Sequence, residues 1–148
     1  TEATPMRSAP QLELADARRI AGAAHSEAER HGATVTVALV DGGGHPLLLE
    51  RRDGGSPASA AAALGKARMA ALNGKATAEQ EAAINGPRPA LLQLQGLLGE
   101  PAAAMAGGIP LLLDGHCLGA IGVSGMTPEI DTAIAAAGAA ALGTAQTT

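Results

Sequence analysis

The sequence predicts an α+β domain, an antiparallel sheet layered with helices. Three observations lead there: two apolar, β-branched stretches each fold back through a glycine-bearing turn, helical apolar spacing lies before, between and after them, and strands do not alternate singly with helices as a parallel sheet requires. The element order read along the chain is α-β-β-α-α-β-β-α.

Residues 1–11 carry Thr1, Thr4, Ser8, Pro5 and Pro10 without apolar periodicity and read as a flexible arm, so the domain is expected over 12–143 with a tail at 144–148. From Leu14 to Arg30, Leu14, Ala17, Ile20, Ala21, Ala24 and Ala28 follow helical spacing, with Arg18, Arg19, Glu27 and Arg30 on the wetter side and Gly32 as the stop. Thr34 to Val40 and Pro46 to Arg51 are strands, and Asp41-Gly42-Gly43-Gly44 between them suits a hairpin turn. Ser56 and Pro57 open a helix that runs to Leu72, where Asn73-Gly74 ends it. Thr77 caps a further short helix to Ile84. Residues 85–106 mix prolines, glycines and a Leu/Gln run, which predicts one short helix near Ala90 to Leu94 and loop elsewhere. Ile109 to Leu113 and Cys117 to Val123 flank Asp114-Gly115 as a second hairpin. Thr127-Pro128-Glu129 launches a last helix through Leu142, ending at Gly143.

Composition narrows the function. A chain of 148 residues holds one domain and can bury an adequate core without disulfides. The formal net charge of -4, with Lys and Arg scattered, offers no footprint for nucleic acid. Phe, Tyr and Trp are absent, so base stacking and aromatic cages are excluded and the core must be aliphatic. No stretch matches the roughly 18 strongly apolar residues that span a membrane, and the expected setting is cytoplasmic, with a removed leader left open. Cys117, the one cysteine, reads as a buried thiol inside a strand. The helix from Pro57 to Leu72 has only Lys66 and Arg68 as charges, and the last helix has Glu129 and Asp131 at its start. Helices so bare are expected to be covered on more than one side, which points to a homo-oligomer with small ligands bound at subunit seams.

Several motifs fail on their own terms. Gly122-Val123-Ser124-Gly125-Met126 lacks the second glycine of a nucleophile elbow, leaving Ser124 as a turn residue or ligand contact. Gly65-Lys66 lacks the upstream glycine and following hydroxyl of a phosphate loop. Gly42 to Gly44 could cradle an anion with their amides, but a hairpin turn explains them with no extra assumption. His25, His31, His45 and His116 form no close ligand pair; His45 and His116 sit at hairpin turns, where either could bind a metal or haem iron or simply be solvated. Lys66, among Ala, Ser, Leu and Gly, is either snorkelling, paired, or turned towards an anionic or carbonyl ligand. Asp41, Glu50, Arg51 and Asp53 ring the ends of the first hairpin as candidate counter-charges, acids or bases.

The runs Leu14-Ala15-Asp16-Ala17-Arg18-Arg19-Ile20, Val40-Asp41-Gly42-Gly43-Gly44-His45, Glu50-Arg51-Arg52-Asp53-Gly54, Gly65-Lys66-Ala67-Arg68-Met69-Ala70, Gly107-Gly108-Ile109-Pro110 and Gly119-Ala120-Ile121-Gly122-Val123-Ser124-Gly125 together resemble the GlcG/HbpS family over about Leu12 to Leu142. The resemblance implies a profilin-like fold and an oligomer, often an octamer. Relatives include a haem-binding partner of a redox sensor and domains attached to corrinoid adenosyltransferases, so the fold alone fixes no function. It further implies that Asp41, Arg51, Asp53, Lys66, Ser124 and Asp131, with Gly107 and Gly108, line a cavity. Arg52 departs from a family position that is usually apolar, often Met, and the scattered aromatics are gone.

Three readings of function follow. One is a small-molecule-binding protein for haem or another tetrapyrrole, with His45 or His116 as iron ligand. A second is a cofactor-free isomerase, lyase or hydratase in which Lys66 or Arg51 holds an anionic group and Asp41 or His45 moves a proton. A purely structural interaction module is the third alternative.

Overall fold

Caps and turns set the element boundaries in the computed structural model, which describes residues 4–144. The order is α1 (Leu14–Arg30), β1 (Thr36–Asp41), β2 (Pro46–Arg51), α2 (Pro57–Asn73), α3 (Thr77–Ile84), a 3-10 segment (Pro89–Gln93), α4 (Leu94–Leu98), β3 (Gly108–Leu113), β4 (His116–Ser124) and α5 (Pro128–Thr144). In α1, Glu13 and Asp16 form a reciprocal capping box. Pro57 begins α2 and Gly74, at φ +66°, ends it in the left-handed region expected of such a stop.

The strands form one antiparallel sheet in the order β2-β1-β4-β3. Strand alternation divides β1 between two layers. Val37 and Leu39 join Ile20, Ala24, Ile121 and Ile134 in the core under α1 and α5, while Ala38 and Val40 pack with Ala63, Ala67, Ala70 and Ala120 under α2. The first layer supplies most of the hydrophobic stabilisation, at about 1.5–3 kcal/mol for each large aliphatic side chain taken out of water. The second layer is thin for a steric reason. A Cβ on Gly122 would collide with the backbone of Ala63 and Ala67, so only glycine there lets α2 lie against β4.

Four expectations need correction. Residues 89–98 are helical almost throughout, where one short helix and loop were expected. The Arg68 guanidinium holds the end of α4 by donating to the carbonyls of Leu98 (3.0 Å), Gly99 (2.9 Å) and Pro101, a clasp that no local motif announces. Thr77 does not cap α3: Ala76 occupies the cap position, and the buried Thr77 hydroxyl accepts a hydrogen bond from the Gly108 amide at 2.8 Å instead. The last helix continues through Gly143 to Thr144, because an exposed glycine weakens a helix without ending it. Cys117 is half-buried, not sealed, since it stands at the open start of β4 with Sγ towards the carbonyls of Gly119 (3.4 Å) and Ala71 (3.6 Å).

Of the expected arm, Thr1 to Ala3 lie outside the described residues, and Thr4 to Glu13 have no helix or strand, with Leu12 buried against the core. The expected tail beyond Thr144 also lies outside them.

Candidate functional site

Lys66 is 4 % exposed and Asp131 3 %. They belong to helices on opposite faces of the sheet, and they meet beside Gly107, at the entrance to β3. The Lys66 ammonium donates to the Val123 carbonyl at 2.9 Å and to Asp131 Oδ2 at 3.4 Å, while Asp131 Oδ1 accepts from the Met126 amide at 2.9 Å. Paired glycines make room for this crossing. A Cβ on Gly107 would press on the Val123 carbonyl and the Lys66 side chain, and one on Gly108 would strike the Lys66 carbonyl. Burial pulls the Lys66 pKa below the usual lysine value, with Asp131 and then Glu81 drawing it partly back up. Of the three states expected for Lys66, the structure shows the paired one. The geometry ties α2 to α5.

The remaining expected residues scatter. Asp41 closes the first turn, its Oδ1 accepting from the amides of Gly43 (2.9 Å) and His45 (3.0 Å). His45 is exposed and His116 half-buried, at the end of the sheet reached by the C-terminal half of α2, where Leu72 abuts Gly44. Ser124 ends β4 opposite Thr36 of β1. Arg51 and Asp53 are exposed, and among the described residues neither has a side-chain hydrogen bond or ion pair. Lys66, Asp131, Gly107 and Gly108 are therefore brought together; Asp41, His45, His116, Arg51 and Asp53 are not brought to them.

The roomier hollow lies along α2 nearer its start. A groove of about 630 Å³ is walled by Ala60, Ala61, Ala62 and Leu64 of α2, by Leu49 of β2 and by Glu100 to Ala103. Its far wall comes close because Gly65 would bring a Cβ within 3.1–3.2 Å of the Ala102 and Ala103 backbone, a spacing only a residue without a side chain leaves open. At Leu49 the groove adjoins a second hollow of about 480 Å³, lined by His25, Glu50, Arg51, Arg52 and Asp53. Leu49 and Arg51, two apart on β2, share the α2 side of the sheet, with the Arg51 side chain beside Gly55. An apolar trough thus adjoins a charged hollow that Arg51 lines together with Glu50, Arg52 and Asp53.

Glu50 and Arg52 lie on the other side, against α1, in a cluster that sequence reasoning missed. Arg52 Nε donates to His25 Nδ1 at 3.1 Å, and His25 Nε2 lies 2.8 Å from Glu50 Oε1. An arginine can only donate, so His25 Nδ1 is the acceptor and Nε2 carries the proton to Glu50. Arg52 also reaches Glu29 at 3.4 Å. The one available signal was Arg52 itself, a charge where the resemblance led us to expect an apolar residue. Among the described residues no three His, Cys, Asp or Glu side chains are grouped to hold a metal ion, and no helix is long and apolar enough to cross a membrane.

Comparison with known proteins adds the following. A family model described as haem degrading protein HbpS-like matches residues 12–140. Protein GlcG of Escherichia coli K12 is 37% identical over 108 residues, covering 73% of this chain and 77% of that protein. Among solved structures, a double mutant of Streptomyces reticuli HbpS superposes with a TM-score of 0.80 at 31% identity, covering 95% of this chain and 97% of the other. A PduOC:heme complex superposes with a TM-score of 0.81 at 29% identity, covering 89% and 95%.

Proposed function

Because the chain belongs to the family of haem-degrading, HbpS-like proteins, we propose that it binds a small amphipathic ligand of the tetrapyrrole class in the groove between α2 and residues 100–103. The observation that carries this reading is the junction at Leu49, where about 630 Å³ of alanine-walled space adjoins the hollow lined by Arg51, whose guanidinium has no partner among the described residues. A flat apolar ring bearing carboxylates matches both halves. The volume lies within the range of roughly 300–1,000 Å³ typical of small-molecule sites.

The donor set tests the fit of haem itself. Groove walls offer aliphatic carbon and the Glu100 carboxylate, with no imidazole, thiolate or thioether. These residues suit the ring and not the iron. Haem binding by the PduOC relative supports the ligand class. The burial and pairing of Lys66 weigh against its transferring protons to a diffusible substrate, which is why binding is favoured over a cofactor-free reaction.

Oligomer formation is part of the same proposal. Within one chain the loop at 101–103 already covers part of α2, but Ala61 in the groove wall and Ala136 and Ala140 on α5 remain exposed and suit cover by further copies. Analytical ultracentrifugation tests this: a lone subunit at working concentration would refute it.

The ligand reading is tested by haemin titration. A saturable Soret shift is expected in the parent chain, weakened in Ala61→Trp, which fills the groove from an exposed helix position. No shift at micromolar haemin, or an undiminished one in Ala61→Trp, would overturn it.

A further inference from the structure

Resting on that ligand reading, we infer that the groove recognises a porphyrin by its ring face and carboxylate, with no protein side chain on the metal, so that metal-free porphyrin and haem bind alike. The inference comes from where the chain places its imidazole, thiol and thioether groups, the strong protein ligands of haem iron. His25 has both ring nitrogens engaged, by Arg52 at 3.1 Å and Glu50 at 2.8 Å. His31 Nε2 lies 3.0 Å from Glu27 Oε2 on the outer side of α1. His45 and His116 stand at the opposite half of α2 from the groove. The Cys117 thiol sits there too, facing the Ala71 carbonyl. Met69 is buried, and Met6, Met105 and Met126 are outside the groove wall.

What the groove does offer is directed at the rest of the molecule. Ala60, Ala61 and Leu64 with Pro101 make aliphatic surfaces for a flat ring, and the absence of aromatic side chains means the ring meets carbon without stacking. Arg51 is the complementary charge: it is unpaired among the described residues, on the same side of β2 as Leu49, and rigid in its fork geometry. Arg51 and Arg52 share their hollow with Glu50 and Asp53, whereas the groove lining sets no cation beside Glu100, so the contrast that orients the acid edge is between Arg51 at one end and Glu100 at the other.

The test compares haemin, zinc protoporphyrin and metal-free protoporphyrin IX on the full chain, followed by ligand absorbance and fluorescence, together with protoporphyrin IX dimethyl ester. Dissociation constants for the first three are expected to agree within about threefold, and the ester and Arg51→Met are each expected to weaken binding by about tenfold. His45→Ala, His116→Ala and Met105→Leu should leave haemin binding unchanged. If haemin binds and metal-free porphyrin is weaker by more than that threefold margin, or if one of those three substitutions abolishes haemin binding, the inference fails while the ligand reading stands. If none of the porphyrins binds, the ligand reading fails and this inference with it.

Discussion

Lys66 of α2 and Asp131 of α5 approach from opposite faces of the sheet and meet at 3.4 Å, with side chains 5 % and 4 % exposed. Such a pair holds two layers in one register more than it adds net stability, because desolvation offsets much of the attraction.

Removing one partner should therefore cost more than removing both. Lys66→Met leaves Asp131 charged and buried, and should destabilise the fold by about 3–5 kcal/mol. Lys66→Met with Asp131→Asn should recover much of that loss, since the amide oxygen can still accept from the Met126 backbone. Urea unfolding followed by far-UV circular dichroism at fixed protein concentration measures both. A double variant no more stable than the single one would refute the pin.

The same lysine gives a pH dependence whose sign is set by burial. Its folded-state pKa is lowered from 10.5, so between that lowered value and 10.5 the unfolded chain binds more protons than the folded one. Stability from this group then rises as pH climbs, and the cost of desolvating the charge is fully present below the window. Relative to Lys66→Met, the parent chain should gain as pH is raised from neutral towards 10.5. A gap that stays level or moves the other way would contradict the assignment.

Glycines should respond by location. Gly108→Ala forces a methyl group onto the Lys66 carbonyl and should cost about 1–3 kcal/mol. Gly22→Ala, in the exposed middle of α1 with nothing within 4 Å of the new atom, should stabilise by about 0.5–1 kcal/mol. Thermal midpoints of the two variants moving in the same direction would count against the packing described for α2 and β3.

Arg52 should matter for chemistry at His25 more than for folding. The Arg52 side chain is 45 % exposed, so Arg52→Met should change stability by about 1 kcal/mol or less. Nitrogen-15 spectra of the imidazole should show the proton on Nε2 in the parent chain, and an Nδ1–H population appearing in Arg52→Met. A parent spectrum with the proton on Nδ1 would rule out the bond from Arg52.

Local signals were legible in the sequence and distant ones were not. Both hairpins, and helix boundaries such as Pro57, Gly74 and Thr127, depend on residues within a few positions of the boundary; Thr127 does accept from the Ile130 amide at 3.2 Å. The helix at Leu94–Leu98 escaped because Arg68, which holds its end, lies 30 residues away from Leu98 in the chain. Lys66 stood out as a lone charge among alanines, yet its partner is 65 residues on. His25 and Arg52 are 27 apart on different elements. The groove had no sequence signature at all: its walls are alanine, and alanine in a helix looks the same whether it faces water, a neighbour or a guest.

Arg68 holds the carbonyls of Leu98, Gly99 and Pro101, at the start of the segment from Pro101 to Ala103 that walls the groove. The aperture is therefore set by a side chain outside the cleft wall. Evolution could retune which guests are admitted by altering that one tether, leaving every contacting residue as it was.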